Sequence, residues 1–144
     1  MKNISVEGAN GGLHTNYEGK AQAAVDVLTK EDYDFVYVHV EAPDEMGHQG
    51  SMEKKIQAIQ NLDSKVIAPI KAGLEAAGVD FKMLVMPDHP TPICIRTHTA
   101  DDVPYLIYNS TEKQEHDWKY NEKEAAKSSN HIADGHKMIE YFIG

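Results

Sequence analysis

The order of apolar and polar residues along this chain predicts three helices and three strands. Apolar residues that recur every three or four positions indicate helices, because such positions share one helical face. Near-continuous apolar runs of six or seven residues indicate strands that are covered on both faces. The predicted order is helix 17–29, strand 34–40, helix 51–77, strand 81–86, strand 103–108 and helix 131–143. The loops predicted between these elements cover 1–16, 88–102 and 109–130.

This order of elements predicts an α/β fold. A strand, a helix and a strand in succession favour a right-handed βαβ unit, and hence a mostly parallel sheet with helices on both faces. Within the long helical stretch, Pro69 is expected to kink or split the helix, and Gly78 to end it. The length of 144 residues predicts a single domain over 1–144.

Composition narrows the classes of partner. A net charge of −9 argues against DNA or RNA, whose binding needs a basic face. The sequence contains no apolar run of about 20 residues, so no membrane span is expected. The first residues lack the apolar core of a signal peptide, and the single Cys94 excludes an internal disulfide. These features together predict a cytoplasmic protein.

Five residues in loops carry the candidate chemistry, and they are Asp44, His48, Asp88, His89 and His98. Asp44 follows the end of the first predicted strand by four residues, and Asp88 follows the second by two. Ligands of open α/β sheets bind beyond the carboxyl ends of the strands, where both residues would lie. Each pair alone also fits ordinary surface residues; their common placement favours a metal site.

The spacing of the first pair has a structural meaning. Asp44 and His48 are four residues apart, so on a helical turn they share a face and can bind one cation together. Gly47 between them leaves room for a close approach. Five ligands are more than one cation with an open position needs, so they indicate most of a site for two divalent ions. Carboxylate and imidazole ligands favour manganese or zinc, with magnesium or cobalt as alternatives. Two such ions about 4 Å apart would stabilise the attacking and leaving oxygens of a phosphoryl transfer.

The sequence gives weaker evidence of a functional role for the other polar residues. No Ser, Thr or Cys lies in a setting typical of a nucleophile, and Cys94 fits a small apolar side chain. Arg96 is the only arginine beside thirteen lysines, so most of a substrate clamp would lie elsewhere. Lys20 and Arg96 are candidates for phosphate contacts, with ordinary surface charge as the alternative. His39 is expected to be packed in the core or to lie behind the metal ligands, and His14, His116, His131 and His136 are expected to be solvated or locally bonded.

Four segments resemble one enzyme family. They are Asn-Tyr-Glu-Gly-Lys at 16–20, the run from Phe35 to His48 that ends in Asp-Glu-Met-Gly-His, Met-Pro-Asp-His-Pro-Thr-Pro at 86–92 and Arg-Thr-His-Thr at 96–99. The chain from about Val6 to Gly144 is similar to the carboxy-terminal part of the archaeal-type, cofactor-independent phosphoglycerate mutases. These enzymes belong to the alkaline phosphatase superfamily, which uses two metal ions.

The resemblance implies a role for each candidate. Asp44, His48 and His98 match the ligands of one metal, and Asp88 and His89 match ligands of the second. The family's nucleophilic serine and a further aspartate come from an amino-terminal region without a counterpart here. The chain would then be the carboxy-terminal portion of a phosphatase-like domain that interconverts 3-phosphoglycerate and 2-phosphoglycerate, and would be inactive alone.

Two alternatives stay open at this point. The first alternative is a related enzyme with the same ligand set but another substrate. It could be a homoserine kinase-like enzyme or another phosphotransferase of the superfamily. The second alternative is a metal-binding or interaction module without catalysis, which would self-associate through an exposed sheet edge.

Overall fold

The structure is a computed structural model that describes residues 2–112 and 117–144, so His116 lies outside the described residues. It contains two compact units. The helical unit comprises Met1–Val79 and Thr91–Thr99, and the sheet unit comprises Asp80–Pro90 and Ala100–Gly144. None of the helices formed by the described residues is both long and apolar enough to cross a membrane.

The core of the helical unit forms where α1 (Tyr17–Lys30) packs against α4 (Ala68–Ala76). The Asn16 side chain caps α1 by accepting a hydrogen bond from the Gly19 backbone N–H, as expected at a helix start. A Cβ on Gly73 would lie 2.9 Å from Cγ2 of Val25, so the missing side chain lets the helices approach closely. The prediction of a helix at 17–29 is confirmed. Buried residues along these two helices are Tyr17, Ala21, Ala24, Val27, Ile70 and Leu74.

The predicted helix at 51–77 consists of three successive helical segments. They are α3 (Met52–Leu62), a π-helical turn (Asp63–Ile67) and α4. Pro69 has no N–H to donate to the preceding turn, and next to it Ala68 bonds five residues back to the Asp63 carbonyl. Gly78 ends this stretch with a φ of +68°. The expectations that Pro69 splits the helix and that Gly78 ends it are both confirmed.

The predicted strand at 34–40 does not form. This segment has no regular secondary structure, and among the described residues it pairs with no strand. Its residues alternate in exposure like those of a strand, and Phe35 and Tyr37 are exposed. An apolar run acquires strand structure only when a neighbouring strand accepts its backbone hydrogen bonds. The short helix α2 (Ala42–His48) follows directly.

The sheet unit contains β1 (Lys82–Val85) and β2 (Leu106–Asn109), which confirms the two predicted strands at 81–86 and 103–108. They pair antiparallel, with Lys82 opposite Asn109 and Val85 opposite Leu106. The expected mostly parallel sheet is therefore not what the described residues form. A parallel connection needs a crossover, usually a helix, and residues 86–105 form only turns and loop.

The helices at the end of the chain lie at other positions than predicted. The stretch expected to be a loop, 109–130, contains the short α5 (Glu122–Ala125). The helix expected at 131–143 begins later, as a 3₁₀ turn (Gly135–Lys137) that continues into α6 (Met138–Ile143). Asp134 and Gly135 at its beginning explain the late start, because both residue types disfavour a helix interior.

Candidate metal centre

Helix α2 presents Asp44 and His48 on one face, as their spacing predicts. Nε2 of His48 lies 3.3 Å from Oδ2 of Asp44. The helix begins with Pro43 in its first turn, where the missing N–H of proline costs no hydrogen bond. The carboxylate of Asp44 in that turn also faces the positive end of the helix dipole.

His98 joins this pair from a loop fifty residues further along the chain. Its Nε2 lies 3.4 Å from Oδ1 of Asp44 and 3.1 Å from Nε2 of His48. One ligand atom from each residue therefore lies within 4.8 Å of the other two. All three residues belong to the helical unit, and we refer to them as the triad.

The triad fits a divalent metal ion by its distances. Zinc bonds to nitrogen and oxygen are about 2.0–2.1 Å, which sets tetrahedral ligand atoms about 3.3–3.4 Å apart. The two imidazole nitrogens are 3.1 Å apart, and each lies 3.3–3.4 Å from one oxygen of the Asp44 carboxylate (Oδ2 for His48, Oδ1 for His98), which is close to that spacing. Two imidazoles and one carboxylate are also a donor set that first-row metals bind well.

The protonation of His48 supports the same conclusion. Its Nδ1 lies 2.9 Å from the carbonyl oxygen of Arg96. A carbonyl can only accept, so Nδ1 carries the hydrogen and donates it. In the neutral ring, Nε2 then presents its lone pair toward Asp44 and His98. This is the usual arrangement of a metal-binding histidine, whose second nitrogen is held by a backbone carbonyl.

Arg96 reaches this position through an unusual backbone conformation. It is the only described residue other than glycine with a positive φ, at 60°. The left-handed region costs a non-glycine residue roughly 1–2 kcal/mol. Its guanidinium lies against Gly50, where a Cβ would collide with Nε of Arg96. The bend at Arg96 aims its carbonyl at His48 and brings His98 to the cluster.

Two further residues support Asp44. The Thr91 hydroxyl donates a hydrogen bond to Oδ1 of Asp44, and Thr91 is buried. The Thr91 carbonyl accepts a hydrogen bond of 2.7 Å from Nζ of Lys55 on α3. This carbonyl also lies against Gly47, where a Cβ would be only 2.6 Å from its oxygen. Gly47 thus allows the close approach of Thr91, a contact that its place between Asp44 and His48 did not predict.

The triad remains open to solvent. The side chains of Asp44, His48 and His98 are 31%, 36% and 50% exposed. Three protein ligands with an open side are typical of catalytic metal sites, whereas structural sites close all four positions with protein ligands.

Asp88 and His89 belong to the sheet unit, where they interact with each other. Nε2 of His89 lies 3.4 Å from Oδ2 of Asp88, and Oδ1 of Asp88 accepts the backbone N–H of His89 at 3.1 Å. Lys20 donates from Nζ to the carbonyl of His39 at 2.7 Å. Nδ1 of His39 also lies 3.3 Å from the Tyr37 hydroxyl. His39 is exposed, so the expectation that it is packed is wrong; the segment 34–40 does not form the strand that would have buried it.

Sequence reasoning identified the triad residues but missed their supports. Thr91 and Lys55 are thirty-six residues apart, and neither belongs to a spacing pattern that predicts metal binding. The one available signal was the position of Thr91 between two prolines, directly after the Asp88-His89 pair. Prolines restrict the backbone on both sides and so help to fix a side chain between them.

Comparison with known proteins shows which family this chain resembles. The family model described as the metalloenzyme superfamily matches residues 1–140. A protein of Methanosarcina acetivorans named 2,3-bisphosphoglycerate-independent phosphoglycerate mutase is 49% identical over 125 residues, which cover 87% of this chain and 31% of that protein. A protein of the same name from Methanosarcina barkeri is 46% identical over 99% of this chain and 36% of its own length.

A solved structure, that of the PH0037 protein from Pyrococcus horikoshii, is similar with a TM-score of 0.81 and 30% identity. The match covers 97% of this chain and 41% of that protein. The chain thus spans about a third of the length of the curated relatives it matches. The resemblance to cofactor-independent phosphoglycerate mutases is confirmed, and the match over 1–140 establishes that the chain belongs to the metalloenzyme superfamily.

Proposed function

We propose that this chain supplies metal ligands to an enzyme that transfers a phosphoryl group between the two hydroxyl positions of phosphoglycerate. The reaction would interconvert 3-phosphoglycerate and 2-phosphoglycerate in the cytoplasm. The observation that carries the proposal is the convergence of Asp44, His48 and His98 at metal-binding distances. The names of the similar Methanosarcina proteins support the choice of reaction and substrate.

In this proposal the triad holds one divalent ion, manganese or zinc in the first place. Asp88 and His89 contribute ligands to a second ion. When bound, such ions stabilise negative charge on the oxygens of a transferring phosphoryl group. Asp44 is the one carboxylate of the triad, so the three ligands together present little negative charge that would repel an anionic substrate.

The cationic side chains would orient the substrate. Arg96 lies two residues before His98, so its guanidinium belongs to the same loop as a proposed ligand. Its planar fork can donate two parallel hydrogen bonds to a phosphate or carboxylate. Lys20 would offer a compact positive charge after release from the His39 carbonyl. With a single arginine in the chain, further substrate contacts and the nucleophilic serine would come from other parts of the enzyme.

A chimera tests this function directly. The segment of the Methanosarcina acetivorans mutase that matches this chain would be replaced by this chain, and mutase activity measured with a coupled assay. We expect activity in the chimera and its loss in chimeras that carry Asp44→Ala or His98→Ala. A matched control is His136→Ala, an exposed histidine outside the proposed site, which should retain activity.

Two outcomes would contradict the proposal. One is a folded, metal-containing chimera without mutase activity, and the other is full activity in the Asp44→Ala chimera. Phosphorylation of homoserine instead of phosphoglycerate would favour the alternative phosphotransferase. The 144-residue chain alone is expected to show no turnover in the same assay, since no nucleophile is proposed within it.

A further inference from the structure

We propose that Thr91 is a positioning residue of the metal centre, which fixes the Asp44 carboxylate in the orientation that binds the ion. The inference rests on the metal site of the proposed function. It adds a residue outside the ligand set and makes a prediction about metal affinity that needs no substrate.

The hydrogen bond from Thr91 determines how the carboxylate is turned. An ionised carboxylate can only accept, so the Thr91 hydroxyl is the donor to Oδ1 of Asp44. The same Oδ1 lies 3.4 Å from Nε2 of His98, while Oδ2 lies 3.3 Å from Nε2 of His48. Holding Oδ1 therefore fixes the rotation of the whole group and leaves each oxygen beside one imidazole.

Thr91 is itself held in place from two sides. Its carbonyl accepts a 2.7 Å hydrogen bond from Nζ of Lys55, a partly buried contact. The same carbonyl and the Thr91 methyl group lie against Gly47 of α2, at 2.6 and 3.0 Å from where a Cβ would stand. With only 4% of its surface exposed, Thr91 has little freedom to turn its hydroxyl away.

This rigidity gives the hydroxyl an energetic effect. A hydrogen bond to an ionised carboxylate is about twice as strong as one between neutral groups. Loss of an outer-shell partner of a metal ligand typically lowers metal affinity by roughly 10- to 100-fold. Without the Thr91 hydroxyl, the carboxylate of Asp44 could rotate or swing toward solvent, since its side chain is 31% exposed.

The experiment measures Zn²⁺ affinity of the 144-residue chain by competition with a chromophoric chelator. Thr91→Val keeps the shape of the side chain and removes the hydroxyl, and we expect roughly 10- to 100-fold weaker binding. Thr91→Ser restores the hydroxyl and should bind nearly as well as the wild type. The absorption bands of bound Co²⁺ should shift in Thr91→Val and return in Thr91→Ser, because they report ligand geometry.

Thr29→Val is the matched control, since the Thr29 hydroxyl donates only within α1, to the Val25 carbonyl. It should leave the Zn²⁺ affinity and the Co²⁺ spectrum unchanged. If Thr91→Val does not fold, Lys55→Met takes its place, because it removes the donor to the Thr91 carbonyl while it keeps the side-chain length. This variant should weaken Zn²⁺ binding by several-fold.

Three results would overturn the inference. They are wild-type affinity in a folded Thr91→Val or in Lys55→Met, equal loss in Thr91→Ser and Thr91→Val, and an absence of Zn²⁺ binding by the wild-type chain. The last would also remove the metal site from the proposed function, whereas the first two leave that function intact. Conversely, a chimera without mutase activity would not affect the Thr91 measurements.

Discussion

The two units of this protein hold their proposed metal ligands in different ways. In the helical unit, Asp44, His48 and His98 come from distant points of the chain and meet at 3.1–3.4 Å. In the sheet unit, Asp88 and His89 are neighbours in sequence and contact each other directly. Of the eleven buried hydrophobic residues among those described, ten belong to the helical unit.

The difference shows what a precise ligand geometry requires. The triad is supported by groups that bind no metal, namely the Arg96 carbonyl and the Thr91 hydroxyl. Thr91 is itself held by Lys55 and by its contact with Gly47, and the side chain of Arg96 lies against Gly50. The sheet unit buries little apolar surface, so the Asp88 carboxylate, which is 61% exposed, has few neighbours that could fix it. Ligands held by a packed surrounding lose less entropy when a metal binds.

The largest expected effect is the loss of a triad ligand. Asp44→Ala should lower Zn²⁺ affinity by more than about 100-fold, the upper cost of losing an outer-shell partner. Asp88→Ala should lower the affinity of the strongest site much less, because the triad is complete without it. Titration calorimetry on both variants measures this. Equal losses would show that the two units do not bind Zn²⁺ independently, and the triad would not be the strongest site on its own.

The next effect concerns the close approach at Gly47. Gly47→Ala places a methyl group 2.6 Å from the Thr91 carbonyl oxygen, a backbone atom that cannot move without shifting the loop. Such overpacking typically costs about 1–3 kcal/mol of unfolding free energy. Gly47→Ala should also weaken Zn²⁺ binding, because a shift of Thr91 would disturb its hydrogen bond to the Asp44 carboxylate.

The control is Gly135→Ala in the sheet unit, where an added Cβ meets nothing within 4 Å. Urea unfolding followed by circular dichroism compares the two variants. A Gly47→Ala protein as stable as Gly135→Ala would mean that the Thr91 loop is free to move and that packing does not fix the triad.

Local features of the fold could be predicted from the sequence. The helix at 17–29, the strands at 81–86 and 103–108 and the break at Pro69 depend on spacing and on proline chemistry, which act over a few residues. The pairing of Asp44 with His48 is equally local, because it follows from one helical turn. Convergence with His98 was inferred from sheet topology and from the family resemblance.

Non-local features could not be predicted in the same way. The direction of strand pairing depends on the path between β1 and β2, and no pattern in 86–105 specifies it. The run 34–40 has the composition of a strand, yet composition cannot supply the neighbour that a strand needs. The roles of Thr91 and of the Arg96 carbonyl depend on contacts across 36 to 48 residues, for which periodicity carries no signal.

A smaller effect is expected at Arg96, whose φ of 60° is required to aim its carbonyl at His48. Glycine in Arg96→Gly can adopt this conformation without strain, whereas alanine in Arg96→Ala still has the strain of a positive φ. Arg96→Gly should therefore be more stable than Arg96→Ala by about 1 kcal/mol, although both lack the guanidinium. Urea unfolding measures the difference. If Arg96→Ala were the more stable, the left-handed backbone would not be part of the support of the triad.

The smallest expected effect concerns the sheet unit, where the hydrogen bond of a tyrosine hydroxyl contributes to stability in the way that buried apolar residues do in the helical unit. The Tyr120 hydroxyl donates to the Pro104 carbonyl at 3.1 Å and lies 3.4 Å from that of Val85, so it connects the approach to β2 with the end of β1. Burial raises the pKa of Tyr120 to about 12. The unfolded chain, with an ordinary tyrosine pKa of about 10, then loses its proton first.

The contribution of Tyr120 to the free energy of unfolding is thus fully present below about pH 10, and it declines as the pH rises toward about 12. Unfolding in urea at pH 8 and pH 11, followed by the fluorescence of Trp118, should show this decline, and Tyr120→Phe should reduce it. The decline should not vanish, because burial also raises the pKa of Tyr17 and Tyr105. Identical pH profiles for Tyr120→Phe and wild type would mean that the stability of the sheet unit does not depend on this hydroxyl.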